Sequence, residues 1–366
     1  MIGAMSGTSA DGVDAALVRI AGSGLQMRAT LVNCVECAFP TSLRERILRV
    51  RNEGAVALSD LASLGRDISL AYVDAIRQLL AKSAAKPETV SAAAVHGQTL
   101  FHAPPLTIQW IDPALVAVET GIDVVADFRR ADCAAGGQGA PLVPFADYIL
   151  FRSETENRML LNIGGIANVT ILPKGCSIEQ VIGFDTGPGN CISDWLMRDQ
   201  GGVDVGGRLA LAGQFNLDQV NRLMQRPYFH APFPKSTDGP AMLDLWRQSM
   251  SADPQPERLM DDLATAACWV SRSIFRGILL AIQDEPFELI AAGGGTRNQA
   301  IMQGLLDQSP RRSIQTTDVL GVPPQARESI AFAILGAAAL DRVPANVLSV
   351  TGAKRPVVLG AVYPHS

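Results

Sequence analysis

Twice in this chain an apolar run breaks at a short turn of glycine and small polar residues, then resumes as a second apolar run. The first case spans Met1 to Ile20, turns at Ser6 to Gly12 and returns with Val13, Ala15 and Leu17 in alternation. The second spans Arg158 to Leu172, turns at Gly164-Gly165 and leaves through Val169 and Ile171. Alternation at every second position marks a strand with one buried face, so both segments read as β-hairpins, and their turns are suited to meet a ligand. One such hairpin opening each half of the chain points to a duplicated fold.

Other strand-like runs also end in polar and glycine residues. Val90 to Val95 reaches His96-Gly97-Gln98-Thr99. Val181 to Phe184 runs into Asp185-Thr186-Gly187-Pro188-Gly189-Asn190 and a helical pattern from Cys191. Glu288 to Ala292 runs into Gly293-Gly294-Gly295-Thr296-Arg297-Asn298 and the helical stretch Gln299 to Leu306. Open α/β sheets bind their ligands at such strand ends. Leu58 to Ala81, with Leu61, Leu64, Ile68, Ala71, Ala75 and Leu79 at helical spacing, reads as a scaffold helix.

The chain has 366 residues, 48% hydrophobic and 18% charged, enough to bury a core in two lobes. Its net charge of −5 is spread along the chain without a basic stripe, which argues against nucleic acid and for a small-molecule partner. The six cysteines, Cys34, Cys37, Cys133, Cys176, Cys191 and Cys268, include one Cys-x-x-Cys and no second ligand pair, so they are expected to be reduced, mostly buried thiols rather than a zinc site. The N-terminus lacks the basic and apolar regions of a signal peptide. Arg272 and Arg276 interrupt the apolar stretch Leu263 to Ile282, and Ser329 to Leu340 is too short to span a bilayer. A soluble, cytoplasmic protein with no membrane partner is the expectation.

No Gly-x-x-x-x-Gly-Lys-Ser/Thr loop and no Gly-x-Gly-x-x-Gly pattern occurs, which disfavours P-loop and dinucleotide-binding chemistry. In the first turn, Gly7, Thr8, Ser9, Ala10, Asp11, Gly12, Val13 and Asp14 offer close backbone approach, hydroxyls and amides for a polyphosphate. Asp11 and Asp14 are placed to orient Mg²⁺ through its waters. The competing reading is a tight turn that satisfies only itself. Gly293, Gly294, Gly295 and Asn298 offer amides at a helix N-terminus and room for a nucleotide beside the backbone, the competing reading being a glycine helix entry needed only for packing. Asp185 at a strand end is either a partly desolvated base or the cap of the following helix. His96, Gln98, Thr99, Arg129 and Arg130 supply donors for a hydroxylated or anionic ligand.

Taken together, Met5 to Ser9 with Asp11-Gly12 and Asp14, His96 to Thr99, Asp127 to Arg129, Gly136 to Pro144, Asn162 to Asn168, Gly183 to Asn190 and Ser349 to Ala353 resemble the anhydro-N-acetylmuramic acid kinase family from end to end. The resemblance implies a two-lobed α/β fold like that of actin, hexokinase and acetate kinase, a duplicated ribonuclease-H-like arrangement closing over ATP and sugar. The expected lobes are 1–135 completed by 340–366, and 136–339. The two hairpins then become phosphate loops, with Gly164, Gly165 and Asn168 in the second.

The implied reaction transfers the γ-phosphate of ATP to O6 of a 1,6-anhydro amino sugar while water opens the anhydro bond, a step of peptidoglycan recycling. By the family pattern Asp185 is the base that activates the water, and Glu328 in Ala326-Arg327-Glu328-Ser329 is a second carboxylate near it. His96, Gln98, Thr99, Arg129, Arg130, Gly187 and Gly189 fall on the sugar side, with an arginine suited to the lactyl carboxylate. A homodimer is also implied. Three places depart from the pattern: Trp110-Ile111 stands where a glycine is usual, Asp147 where a histidine is common, and Lys235-Ser236-Thr237-Asp238 lacks the frequent Gly-Arg-Glu continuation. A kinase for another anhydro sugar such as levoglucosan, and an actin-like ATPase without a sugar substrate, are the alternatives.

Overall fold

The first hairpin forms as its alternation requires. β1 (Ile2–Ser6) pairs antiparallel with β2 (Gly12–Ala21), Ala4 opposite Ala15. β3 (Arg28–Ala38) continues the meander beside β2. β4 (Ala93–Ala103) lies parallel to β1 and carries β5 (Leu106–Trp110) antiparallel on its outer half. β6 (Val124–Ala126) lies parallel to β4, and the C-terminal strand Ala361–Tyr363 closes that edge antiparallel to β6.

The computed structural model describes residues 1–53, 55–250, 255–282, 285–309 and 314–366. It divides into two units, Met1–Phe151 with Gly321–Ser366, and Arg152–Leu320. In the second unit β7 (Asn157–Ile163), β8 (Ile166–Leu172) and β9 (Ile182–Pro188) form an antiparallel meander. β10 (Phe287–Ala292) runs parallel to β7, and β11 (Ile314–Thr316) parallel to β10. The order β6-β4-β1-β2-β3 of the first unit thus recurs as β11-β10-β7-β8-β9, with the same strand senses. This is the duplicated ribonuclease-H-like arrangement, and each hairpin supplies the first two strands of its copy.

The unit boundaries fall after Phe151 and Leu320, whereas the expected lobes broke after 135 and 339. Packing explains the difference, because the helix Arg327–Leu340 lies on β1, β2 and β4 and is buried at nearly every position. A Cβ on Gly3 would stand 1.9 Å from the Ser329 carbonyl oxygen, so only glycine lets β1 approach this helix. Glu328 therefore belongs with the first hairpin. The helix Leu58–Lys82 packs against β2 and β3, burying Leu64, Ile68, Ala75 and Leu79 as its spacing foretold and leaving Leu61 and Ala71 half-buried.

In the second unit the helix Leu259–Ile282 packs on β9 and β8 and buries Trp269, Val270, Ile274 and Ile278. Among the described residues it is the helix long and apolar enough to cross a membrane, and 61% of that apolar window is buried inside the protein. Its hydrophobicity is core composition. Of the six free cysteines only Cys133 and Cys176 are buried; the other four are half-buried, Cys34 and Cys37 on β3, Cys191 at the start of the helix Cys191–Leu196 and Cys268 within the helix Leu259–Ile282.

Candidate functional site

In the first unit β4 does not stop at Val95. Gly97 takes φ +80°, which a side chain would strain, and the strand bends there and continues through His96 to Thr99. The bend puts His96 and Gln98 beside the end of β1. Arg129 Nε donates to His96 Nε2 at 2.9 Å, and arginine has no acceptor, so the imidazole proton sits on Nδ1 and bonds the Gly97 carbonyl at 2.9 Å. Burial, and next the Arg129 charge, push the His96 pKa well below the usual range. His96 is neutral in one fixed tautomer, and its ring packs 4.8 Å from Phe332.

Arg129 also donates through Nη1 to the Gly139 carbonyl at 2.7 Å, which leaves Nη2 without a partner among the described residues. Burial lowers its pKa to about 10 while Glu328 opposes the shift, so it stays cationic at neutral pH. Arg130 is exposed and pairs with Asp127 at 3.3 Å. Gln98 has both ends of its amide engaged within the protein, and the Thr99 hydroxyl accepts from Gln109 Nε2 at 3.4 Å.

Glu328 opens the buried helix beside Arg327, whose guanidinium binds Asp147 bidentately at 3.0 and 2.5 Å. The Arg327 and Asp147 side chains are 5% and 0% exposed, so the pair anchors the helix start. Asp147, which departs from the family pattern, is thereby placed against Arg327 and not toward solvent. Burial raises the Glu328 pKa, with Arg327 and Arg129 opposing and Asp147 adding to the rise.

Asp14 is raised to about 6, first by burial and then by the charges of Glu36, Glu328 and Asp11. Asp11 is exposed and lies 3.6 Å from Arg44. Within the turn, Ala10 and Val13 are buried in the core and Gly12 is required because a Cβ would meet the Cys37 carbonyl at 2.2 Å. Those three hold the turn, while Gly7, Thr8, Ser9, Asp11 and Asp14 face away from the core to some degree. A carboxyl whose folded pKa lies above its unfolded value stabilises the fold at low pH and ceases to do so as pH rises through the folded value. Asp14→Asn should therefore raise the melting temperature at pH 8, with the gain shrinking through about pH 6 and vanishing below about pH 4, as thermal melts across pH would read.

In the second unit Asp185 lies within β9, which runs on to Pro188 because Asn168 pairs with Asp185, Ala167 with Gly187 and Ile166 with Pro188. Asn162, Asn168 and Asp185 stand opposite one another across β7, β8 and β9 and so share one face of the sheet. Asp185 caps no helix. Its Oδ2 accepts from the Thr237 amide at 3.0 Å, and its backbone is held by the Tyr228 hydroxyl at 2.7 Å and the Lys235 carbonyl at 3.0 Å. Burial raises its pKa to about 6, opposed by the Thr237 bond. The Lys235–Asp238 segment that departs from the family pattern is therefore the support of Asp185. Lys235 Nζ lies 4.8 Å over the Tyr228 ring and donates to the Tyr228 carbonyl at 2.9 Å.

The second glycine turn is tied to the segment after Asp185. The Gly189 amide donates to the Gly165 carbonyl at 3.0 Å and the Asn190 amide to the Gly164 carbonyl at 2.8 Å. A Cβ on Gly189 would lie 2.2 Å from the Gly164 oxygen, and one on Gly187 2.8 Å from Phe229, so both glycines have a packing reason. Gly293 and Gly295 pack on Ile163, whereas Cβ positions on Gly165 and Gly294 open onto free space. Asn298 caps the helix Gln299–Gln308 by accepting from the Ala300 and Ile301 amides, and its own amide, one of those expected to face a nucleotide, donates to the Gly295 carbonyl at 3.0 Å.

Sequence reasoning missed Asp132, Tyr72 and Thr237. Asp132 is fully buried and accepts from the Gly139 amide, Asn346 Nδ2 and Thr351 Oγ1 at 2.7 to 3.0 Å, which ties the Gly136 to Pro144 segment to the Ser349 to Ala353 motif. An acid set among Ala and Cys before a glycine run was the available signal. Thr237 acts through its backbone, which no side-chain pattern announces.

Two copies of one sheet topology, each opening on a glycine turn, with desolvated carboxylates beside them, define a protein of the actin and hexokinase fold class. The chain belongs to the anhydro-N-acetylmuramic acid kinase family, whose sequence model matches residues 1–365. It is similar to the anhydro-N-acetylmuramic acid kinase of Gloeobacter violaceus, 38% identical over 99% of this chain and 98% of that protein. It is 39% identical to that of Cupriavidus metallidurans over 100% of this chain and 97% of that one, and 40% identical to that of Shewanella oneidensis over 99% and 98%.

Proposed function

We propose that the chain opens the 1,6-anhydro bond of 1,6-anhydro-N-acetylmuramic acid with water and phosphorylates the released O6 from ATP. The products are N-acetylmuramic acid 6-phosphate and ADP. The observation that carries the assignment is Asp185, a carboxylate raised to about 6 with one oxygen held by the Thr237 amide and the other without a hydrogen-bond partner among the described residues. Such a group is ionised at neutral pH and basic enough to take a proton from water. Water then adds to carbon 1, the bond from carbon 1 to O6 breaks, and O6 bonds the γ-phosphorus as its bond to the bridging oxygen of ADP breaks. The water proton goes to Asp185, and an anhydro sugar, having no O6 hydroxyl, needs no second base.

Glu328 is proposed as a further carboxylate near the water, and Arg129, oriented by its bond to His96 Nε2, as the reader of the sugar, its Nη2, unpartnered among the described residues, taking the lactyl carboxylate. The exposed glycine turns at Gly7–Ser9, Gly165 and Gly294 are proposed to face the nucleotide. Among the described residues no three His, Cys, Asp or Glu side chains converge on a metal position, while Asp14 stands near the carboxylates of Glu36, Glu328 and Asp11. That set fits Mg²⁺ held by one or two carboxylates and waters, where it would neutralise phosphate charge during transfer. A cytoplasmic homodimer serving peptidoglycan recycling completes the proposal.

ADP production should require both Mg·ATP and 1,6-anhydro-N-acetylmuramic acid. Turnover with levoglucosan but not the muramic sugar, or with no sugar at all, would replace this reading by one of its alternatives. Arg129→Ala should raise the KM for the muramic sugar at least about tenfold, the scale of one lost charge-assisted bond, and an unchanged KM would remove Arg129 from the sugar site.

A further inference from the structure

We infer that Gln98 is a positioning residue for the nucleotide loop and does not read the sugar; the inference rests on the kinase reading above. Its side chain is 0% exposed. Oε1 accepts from Ser6 Oγ at 2.7 Å, and Nε2 donates to the Gly7 carbonyl at 3.1 Å and more weakly to the Thr99 carbonyl at 3.4 Å. Both ends of the amide are thus spent on its own strand and on the turn after β1, and nothing remains to point at a ligand.

The Gly7 carbonyl also accepts from the Ala10 amide at 3.2 Å, so Gln98 and Ala10 together hold that oxygen against the protein. A trans peptide is planar, with its carbonyl and its N–H on opposite sides. Holding the Gly7 oxygen inward therefore turns the Thr8 N–H outward, where it accompanies the exposed Thr8 and Ser9 hydroxyls. An outward amide beside hydroxyls is what a phosphate oxygen binds. Without Gln98 only the Ala10 amide holds the Gly7 oxygen, the flexible Gly7 peptide flips more readily, and a flip would present a carbonyl oxygen to an anion.

Gln98 is supported in turn. Tyr72, fully buried, donates its hydroxyl to the Gly97 carbonyl at 3.0 Å, and His96 binds the same carbonyl, so the bend that aims Gln98 at the turn is fixed from two directions. The register between β1 and β4 shifts between Ala4 and Ser6, which brings Ser6 opposite Gln98.

The test is Gln98→Met, close in volume but without the amide, assayed for separate KM values and for ADP binding by calorimetry without sugar. The expected result is at least a tenfold rise in the KM for Mg·ATP and in the ADP dissociation constant, with the sugar KM within twofold of wild type. A rise in the sugar KM alone, an equal rise in both, or no change overturns the inference. If Gln98→Met does not fold, Ser6→Ala, which removes only the hydroxyl partner, is read by the same criteria with a smaller expected rise. Failure of the kinase reading is separable, since it appears as wild-type protein without sugar-dependent turnover, whatever the variants do to ADP binding.

Discussion

Replacing Asp185 with asparagine is expected to lower kcat by about 10²–10⁴-fold, the range a positioned general base contributes. Asparagine can still accept the Thr237 N–H, and the Tyr228 hydroxyl binds the backbone of residue 185, so the local structure should persist. Removing a carboxylate that burial disfavours should leave the melting temperature at neutral pH equal or higher. In the wild type, kcat/KM should fall on the acid side of about pH 6 as Asp185 takes a proton, and the variant should lack that limb. A variant that keeps a tenth of the activity or the same acid limb would show that the base lies elsewhere.

Breaking the Arg327–Asp147 pair should produce the largest loss of stability. Arg327→Met leaves the Asp147 carboxylate buried at 0% exposure without its partner, and such losses cost about 3–5 kcal/mol. For a unit of this size that corresponds to roughly 6–20 °C in melting temperature. The double variant Arg327→Met with Asp147→Leu should recover most of the loss, because well-packed apolar groups replace buried ion pairs at little net cost. Additive losses in the double variant would mean that the two side chains act independently. The adjoining Glu328 provides a second readout, since a disturbed helix start should also lower kcat if Glu328 works near the water.

The strand pattern was legible where alternation was strong. Both hairpins formed at the places the sequence marked, since a one-sided strand has few other ways to bury Val13, Ala15, Val169 and Ile171. Strand ends were less legible. β9 was expected to stop at Phe184 and β4 at Val95, yet both continue, because pairing partners on β8 and β5 extend them through polar residues and a bent glycine. The motifs named the right neighbourhoods without saying what each side chain does there. Gln98 and Asn298 carry polar groups expected to meet ligands, and both are engaged with the protein's own groups.

By itself the sequence determined the duplicated hairpin plan, the glycine turns and the carboxylates, since these follow from local periodicity and residue chemistry. Only the tertiary structure decided which groups are desolvated, which are paired and which stay open. Asp185 owes its raised pKa to burial, His96 its tautomer to Arg129, and Glu328 its place to an ion pair between residues 180 positions apart. Burial and partnership depend on contacts between distant segments, and one linear sequence read in windows carries no record of them.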